Sequence, residues 1–229
     1  NFWGKSTKGE PAPGRWHESL FDNPTLPELT FRESDMAASG YMAVWARENT
    51  RAAIFEAMQR REVYATTGPR IALRFFGGYD FAAADASVPD LAATGYARGV
   101  PMGSDLPAAP GDKAPTFLVA AARDALSGRL DRIQIVKGWL DAKGETHERV
   151  HDVAWSGERK PGRDGRLPAV GNTVDVKNAS WSNSIGAAEL STVWTDPDFD
   201  PAERAFWYVR VIEIPTPRWT AYDRKFFGV

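Results

Sequence analysis

From Thr116 onward the sequence alternates. Thr116 to Ala121, Arg132 to Leu140, Arg149 to Trp155, Thr173 to Val176, Glu189 to Trp194 and Ala205 to Ile214 carry apolar residues at every second position or in short unbroken runs. Those are the patterns of strands with one or both faces covered. Their spacing, with turn residues between, predicts antiparallel sheets packed as a β-sandwich. The run Ala205-Phe-Trp-Tyr-Val-Arg-Val-Ile-Glu-Ile214 is apolar on both faces at its start and reads as a central strand. Pro215 and Pro217 end it.

Ahead of this region the pattern differs. Pro11, Pro13, Pro24 and Pro27 lie among polar residues and predict a long extended segment over residues 1–40, anchored by its aromatics. Asn49 or Thr50 then offers an N-cap, and Ile54, Ala57 and Met58 recur at helical spacing, which predicts one helix over residues 50–61. Glu62 to Thr66 and Ile71 to Phe76 read as strands on either side of Gly68-Pro69. Ala82 to Ala108, rich in Ala, Pro and Gly, reads as a long loop. The expected fold class is mostly β. A short α/β segment with one main helix occupies residues 1–75, and a sandwich-like domain follows over residues 76–229.

A formal charge of −2 over 229 residues favours neither nucleic acid nor an anionic membrane as partner. No run approaches the ~20 apolar residues of a membrane span. With no cysteine, thiolate chemistry and Cys-ligated metals are excluded. The opening Asn1-Phe2-Trp3-Gly4-Lys5 lacks Met and brings two aromatics that need a packing surface, so the chain reads as part of a longer protein.

His147-Glu148-Arg149-Val150-His151 matches the zinc-protease pattern, whose chemistry requires a helix to bring both imidazoles onto one ion. Here Val153 and Trp155 alternate as in a strand, and an extended chain separates the two histidines by about 13 Å. Ala154 also replaces the glycine of the longer metzincin motif. The motif is read as solvent-facing strand residues, with no zinc. Asp196-Pro-Asp198-Phe-Asp200 resembles the start of a calcium loop, but Pro201 stands where the turn needs glycine and Trp207 where a closing Glu belongs. No Ser lies in a G-x-S-x-G elbow, and no phosphate-cradling glycine motif is present. The nine tryptophans read mainly as core, with Trp181 and Trp219 the least constrained. Arg51, Arg70 and Arg74 cluster around Thr66-Thr67-Gly68-Pro69, where guanidinium forks, hydroxyls and backbone N–H groups suit an anion.

The stretch from Gly40 to Ile71, together with Asn1 to Lys5, Leu130 to Trp139, Asp196 to Asp200 and Ala205 to Trp219, resembles an uncharacterised bacterial family of unknown function. That family looks related to the polymerase and histidinol phosphatase (PHP) metallohydrolases. The resemblance implies a metal-binding PHP-like α/β barrel upstream, in the same protein, as the partner of this β-rich tail. Divalent ions would bind there and none in this chain, because PHP-like centres use H-x-H and Asp-x-His motifs that this sequence lacks. Glu48 to Ile71 would close the barrel, and Asn1 to Lys5 would follow its last ligand loop. Lys5, Arg51, Thr67 and Arg70 are therefore the candidate substrate contacts, and an exported, periplasmic home is implied. The expected role is a non-catalytic accessory region of a hydrolase acting on a phosphoester or related ester. The alternative is a β-sandwich module that binds carbohydrate or protein.

Overall fold

The computed structural model describes residues 19–21, 31–32 and 40–228. Most of the extended segment over residues 1–40, Lys5 included, lies outside them; β1 (Ser19–Phe21) and β2 (Phe31–Arg32) form a short antiparallel pair. The remaining strands are β3 (Tyr41–Val44), β4 (Val63–Thr66), β5 (Ala72–Gly78), β6 (Gly99–Pro101), β7 (Thr116–Ala122), β8 (Leu130–Leu140), β9 (Thr146–Trp155), β10 (Glu189–Thr195) and β11 (Arg204–Glu213). The helices are α1 (Arg51–Gln59), α2 (Leu91–Arg98) and α3 (Trp219–Phe227).

Two antiparallel sheets make the mostly β, sandwich-like body, one with strand order β10-β7-β5-β6 and the other β11-β8-β9. Their facing sides bury Leu73, Phe75, Phe117, Val119, Ile133 and Ile135. Phe117 is the hub. Its ring stacks on Phe75 at 5.4 Å and on Trp194 at 5.9 Å, and meets Trp207 of the opposite sheet at 5.2 Å. Burying one such ring is worth about 1.5–3 kcal/mol, so this contact is a substantial part of the packing between the sheets. The back of the four-stranded sheet is covered as well: Phe76, Phe81 and Leu118 pack under α2 and a 3-10 turn at Ala83–Ser87. A sheet covered on both faces explains why β7 reads Thr-Phe-Leu-Val-Ala without a polar break.

α1 begins where expected, with the Thr50 hydroxyl accepting from Ala53 N at 3.3 Å. It bridges β3 and β4, which pair antiparallel, and the described residues form no barrel. The division drawn after residue 75 falls inside β5, a core strand of the sandwich.

Three expectations are corrected. Residues 82–108 are not one loop: they hold the 3-10 turn, α2 and β6. Asp90 caps α2 by accepting from Ala93 N at 2.9 Å, and Gly95, which weakened the helical signal, is what lets the Phe76 ring lie against the helix. Thr173 to Val176 is not a strand, since only an Asp175–Ser180 bridge forms there. Its Asn172 and Asp175 carboxamide and carboxylate oxygens take the nearby N–H groups of Val174 and Asn178, a local alternative to a ladder. Finally, β11 is not central. It pairs with β8 on one side, and its other edge is unpaired among the described residues. Its outward aromatics cover the sheet itself: the Phe206 ring lies over Gly138 and stacks on Tyr208.

A Cβ added at Gly95 would meet the Phe76 ring at 2.4 Å. Alanine gains about 1 kcal/mol in helix propensity, but overpacking against a buried ring loses about 1–3 kcal/mol. Gly95→Ala is therefore expected to lower unfolding free energy by roughly 1 kcal/mol in urea titration. Gly138→Ala, opposed by a ring that is 61% exposed and free to swing away, should lose less.

Candidate functional site

Of the candidate substrate contacts, Thr67 and Arg70 sit together, exposed, on the turn between β4 and β5. This turn already holds an anion of the chain's own, because the Asp124 carboxylate accepts Arg70 N at 2.7 Å. Contact with that N–H and with Leu126 N keeps the Asp124 carboxyl below its ordinary range. Arg74 is engaged elsewhere: it stacks over Trp45 at 3.3 Å and lies 3.7 Å from the buried Glu62 carboxylate. Arg51 is exposed at the first position of α1. The structure thus places Thr67 and Arg70 on one turn, and engages the half-buried Arg74 with Trp45 and Glu62.

The HERVH residues lie in β9, as the alternation predicts. His147, Arg149 and His151 oppose Trp139, Lys137 and Ile135 of β8, so all three share the inner side of the sheet. Their expected exposure is corrected for His151. Its side chain is 16% exposed, packs on Trp194 at 4.9 Å, and leaves Nε2 buried without a hydrogen bond. His147 instead stacks on Trp139 at 5.2 Å and contacts Asp141 at 2.9 Å through Nε2. The other Asp141 oxygen accepts the N–H groups of Lys143 and Glu145, the Asx arrangement of a tight hairpin turn. Asp141, Glu145 and His147 thus group for the sake of the β8–β9 turn.

A second group, His151, Asp196 and Asp198, was split between two motifs in the sequence. Asp196 follows β10 and is fully buried with Lys137 from the middle of β8, their charged atoms 3.1 Å apart. The same carboxylate oxygen accepts Trp207 Nε1 at 3.1 Å, and the other accepts Asp198 N at 3.0 Å. Lys137 also donates to the Asp198 carbonyl. The Asp198 carboxylate takes Arg149 at 2.7 Å, whose hydrogen bond holds its carboxyl below the ordinary range. Each carboxylate of this group thus has a cation of the chain against it, Lys137 at Asp196 and Arg149 at Asp198. Lys137 was not singled out in the sequence; a lone cation inside the apolar run Ile133-Gln-Ile-Val-Lys-Gly-Trp139 was its only signal.

Beside β11 runs a cleft of about 1190 Å³. Its floor is one face of β5, through Leu73, Phe75 and Gly77, with Tyr79 just beyond, and its far wall is the end of β6 with the loop that follows it to Ala109. Among the described residues, Thr67 is the one expected contact residue that lines it. Glu213 lines it as well; burial pushes its carboxyl up, and Oε1 has no hydrogen-bond partner. Nothing in the sequence marked the cleft, because it arises from where two separate strands come to rest.

A family model described as a protein of unknown function (DUF3604) matches residues 1–229. No curated protein and no solved structure matches the chain.

Removing one partner of a buried ion pair strands the other, at a typical loss of about 3–5 kcal/mol. Asp196→Ala should show that loss in urea unfolding, whereas Lys137→Met combined with Asp196→Leu should regain most of it. Burial, outweighing the attraction of Asp198 and Asp196, depresses the His151 pKa below 6.5. The unfolded chain then binds the extra proton first, so stability falls as pH drops through the unfolded value of about 6.5. His151→Phe, which keeps the ring against Trp194, should flatten that decline in unfolding curves between pH 7.5 and 5.5; an unchanged slope would assign the decline to other groups.

Proposed function

The chain belongs to that DUF3604 family of unknown function, and we propose that it acts as the non-catalytic accessory region of a PHP-like metal-dependent hydrolase. The substrate would be a phosphoester or related ester, and the divalent ions would be held by residues outside this chain. The observation that carries the reading is the saturation of the candidate metal groups. Asp196 is neutralised by Lys137, Asp198 by Arg149, and Asp141 is committed to its own hairpin. A divalent ion entering between Asp196 and Asp198 would meet an ammonium ion at contact distance, in an interior where like charges repel strongly. Among the described residues, the carboxylates of these two groups that have such partners are engaged in holding the fold, which disfavours their activating water.

A second reading, a module that binds another molecule, is favoured by the cleft along β11. The two readings are compatible, since an accessory region can hold a substrate or partner beside a catalytic domain.

The first reading is tested by assaying p-nitrophenyl phosphate, bis-p-nitrophenyl phosphate and p-nitrophenyl acetate with manganese, zinc or magnesium. The purified chain should hydrolyse none of them above buffer and should hold no stoichiometric metal. A longer protein that carries the preceding residues should turn over at least one. Turnover by the chain alone, abolished by His147→Ala or Asp198→Asn, would refute the proposal.

A further inference from the structure

Alternate residues of a strand point to opposite faces of its sheet, so a cavity lying on a face touches every second residue. The cleft touches β5 in that way, through Leu73, Phe75 and Gly77 but neither Arg74 nor Phe76. It touches β11 differently: every residue from Ala205 to Ile214 lines it. Only a cavity running along the strand's edge can do that. The cleft therefore occupies the place of a next strand in the sheet β11-β8-β9, above β5 of a sheet that already has four strands.

We infer that the cleft receives an extended segment of another polypeptide, which pairs with the bare edge of β11 and completes the second sheet to four strands. This deepens the binding-module reading and rests on it. Ten residues of edge span about 33 Å, which fits a segment of roughly nine residues. Its backbone would satisfy the unpaired N–H and C=O groups of β11, the mode of strand addition. Its inward side chains would lie on Leu73, Phe75 and Phe117, so alternate positions would be apolar. Outward, it would flank Phe206 and Ile212, which are 61% and 36% exposed.

Charge points the same way. Among the described residues, Glu203 and Glu213 line the cleft, with Asp105 3.8 Å from Arg61, against one lining cation, Arg210, which already donates to Tyr208 and stacks over its ring. A segment with basic ends complements that balance. The occupant is placed outside this chain because the described strands are already engaged, β1 with β2 and β3 to β11 in their own sheets.

The test is titration calorimetry of the whole chain with a synthetic nonapeptide of alternating Val and Thr between terminal lysines. Two further forms carry N-methyl groups on one or the other alternate set. In a paired strand only one set of N–H groups faces the neighbour, so one methylated form should lose at least about tenfold in affinity while the other binds as the parent does. Ser104→Trp, an exposed residue at the cleft wall, should weaken the parent peptide similarly with an unchanged circular dichroism spectrum. Saturable binding that both methylated forms retain, or both lose, or that Ser104→Trp leaves intact, overturns strand pairing while leaving a binding module standing. A chain dimer that the peptide dissociates makes a second copy the occupant and overturns the inference. A monomeric chain that refuses every peptide overturns the inference together with the binding reading of this cleft.

Discussion

An ammonium ion closed off from water must find its countercharge within contact distance, and that requirement ties three parts of this chain together. Lys137 projects from the centre of β8, Asp196 arrives from the end of β10 in the other sheet, and Trp207 of β11 donates to the same carboxylate. The pair is 2% and 0% exposed, so neither charge is hydrated and neither partner can be moved without stranding the other. Such a pair adds little net stability over apolar residues of equal size. What it adds is exclusivity: a strand slipped by one residue would turn Lys137 to the outer face and leave Asp196 alone inside. The stacking of Phe117 against Trp207 then follows at a place the charges have already selected.

The same centre draws together two motifs that the sequence keeps apart. HERVH and Asp-Pro-Asp-Phe-Asp each place metal-ligand residues at plausible intervals, and the fold does bring His151, Asp196 and Asp198 within ligand distance of one another. The fold also brings Lys137 and Arg149, one from each of the paired strands β8 and β9, and each takes a carboxylate. Two carboxylates and two cations thus meet at this cluster, so its charges balance within the chain. His151, left without a donor or acceptor on Nε2, is a ring packed on Trp194, and its depressed basicity is the expected result of that burial.

Strands were largely legible in the sequence because their signal is local. β7, β8, β9, β10 and β11 all arise within a few residues of the alternating runs, since apolar alternation and half-buried sheets share a period of two. α2 was not legible, because Gly95 weakens a helix taken alone and becomes favourable only once Phe76 lies against it. Thr173 to Val176 misled for the opposite reason: Asn172 and Asp175 satisfy its backbone before any neighbouring strand can. The ion pair joins residues 137 and 196, and no periodicity reports a contact across that separation. The cleft likewise belongs to no segment, being the space left between β5, β11 and the end of β6 with the loop that follows it to Ala109.

β11 is where pattern and placement part most clearly, and the disagreement is informative. Edge strands are normally short, charged or interrupted, since an exposed ladder of N–H and C=O groups invites pairing. This one runs ten residues, opens Arg-Ala-Phe-Trp-Tyr-Val, and has its first proline only after Ile214. Its apolar content on both faces is that of an interior strand. Either the protein tolerates an unprotected edge, or the edge is left open because something is meant to lie against it. The lining of the cleft favours the latter, because a collapsed edge would have drawn the loop that follows β6 onto β11 and left no strand-wide space. An edge strand left unpaired among the described residues presents backbone N–H and C=O groups, which recognise shape and hydrogen-bond spacing.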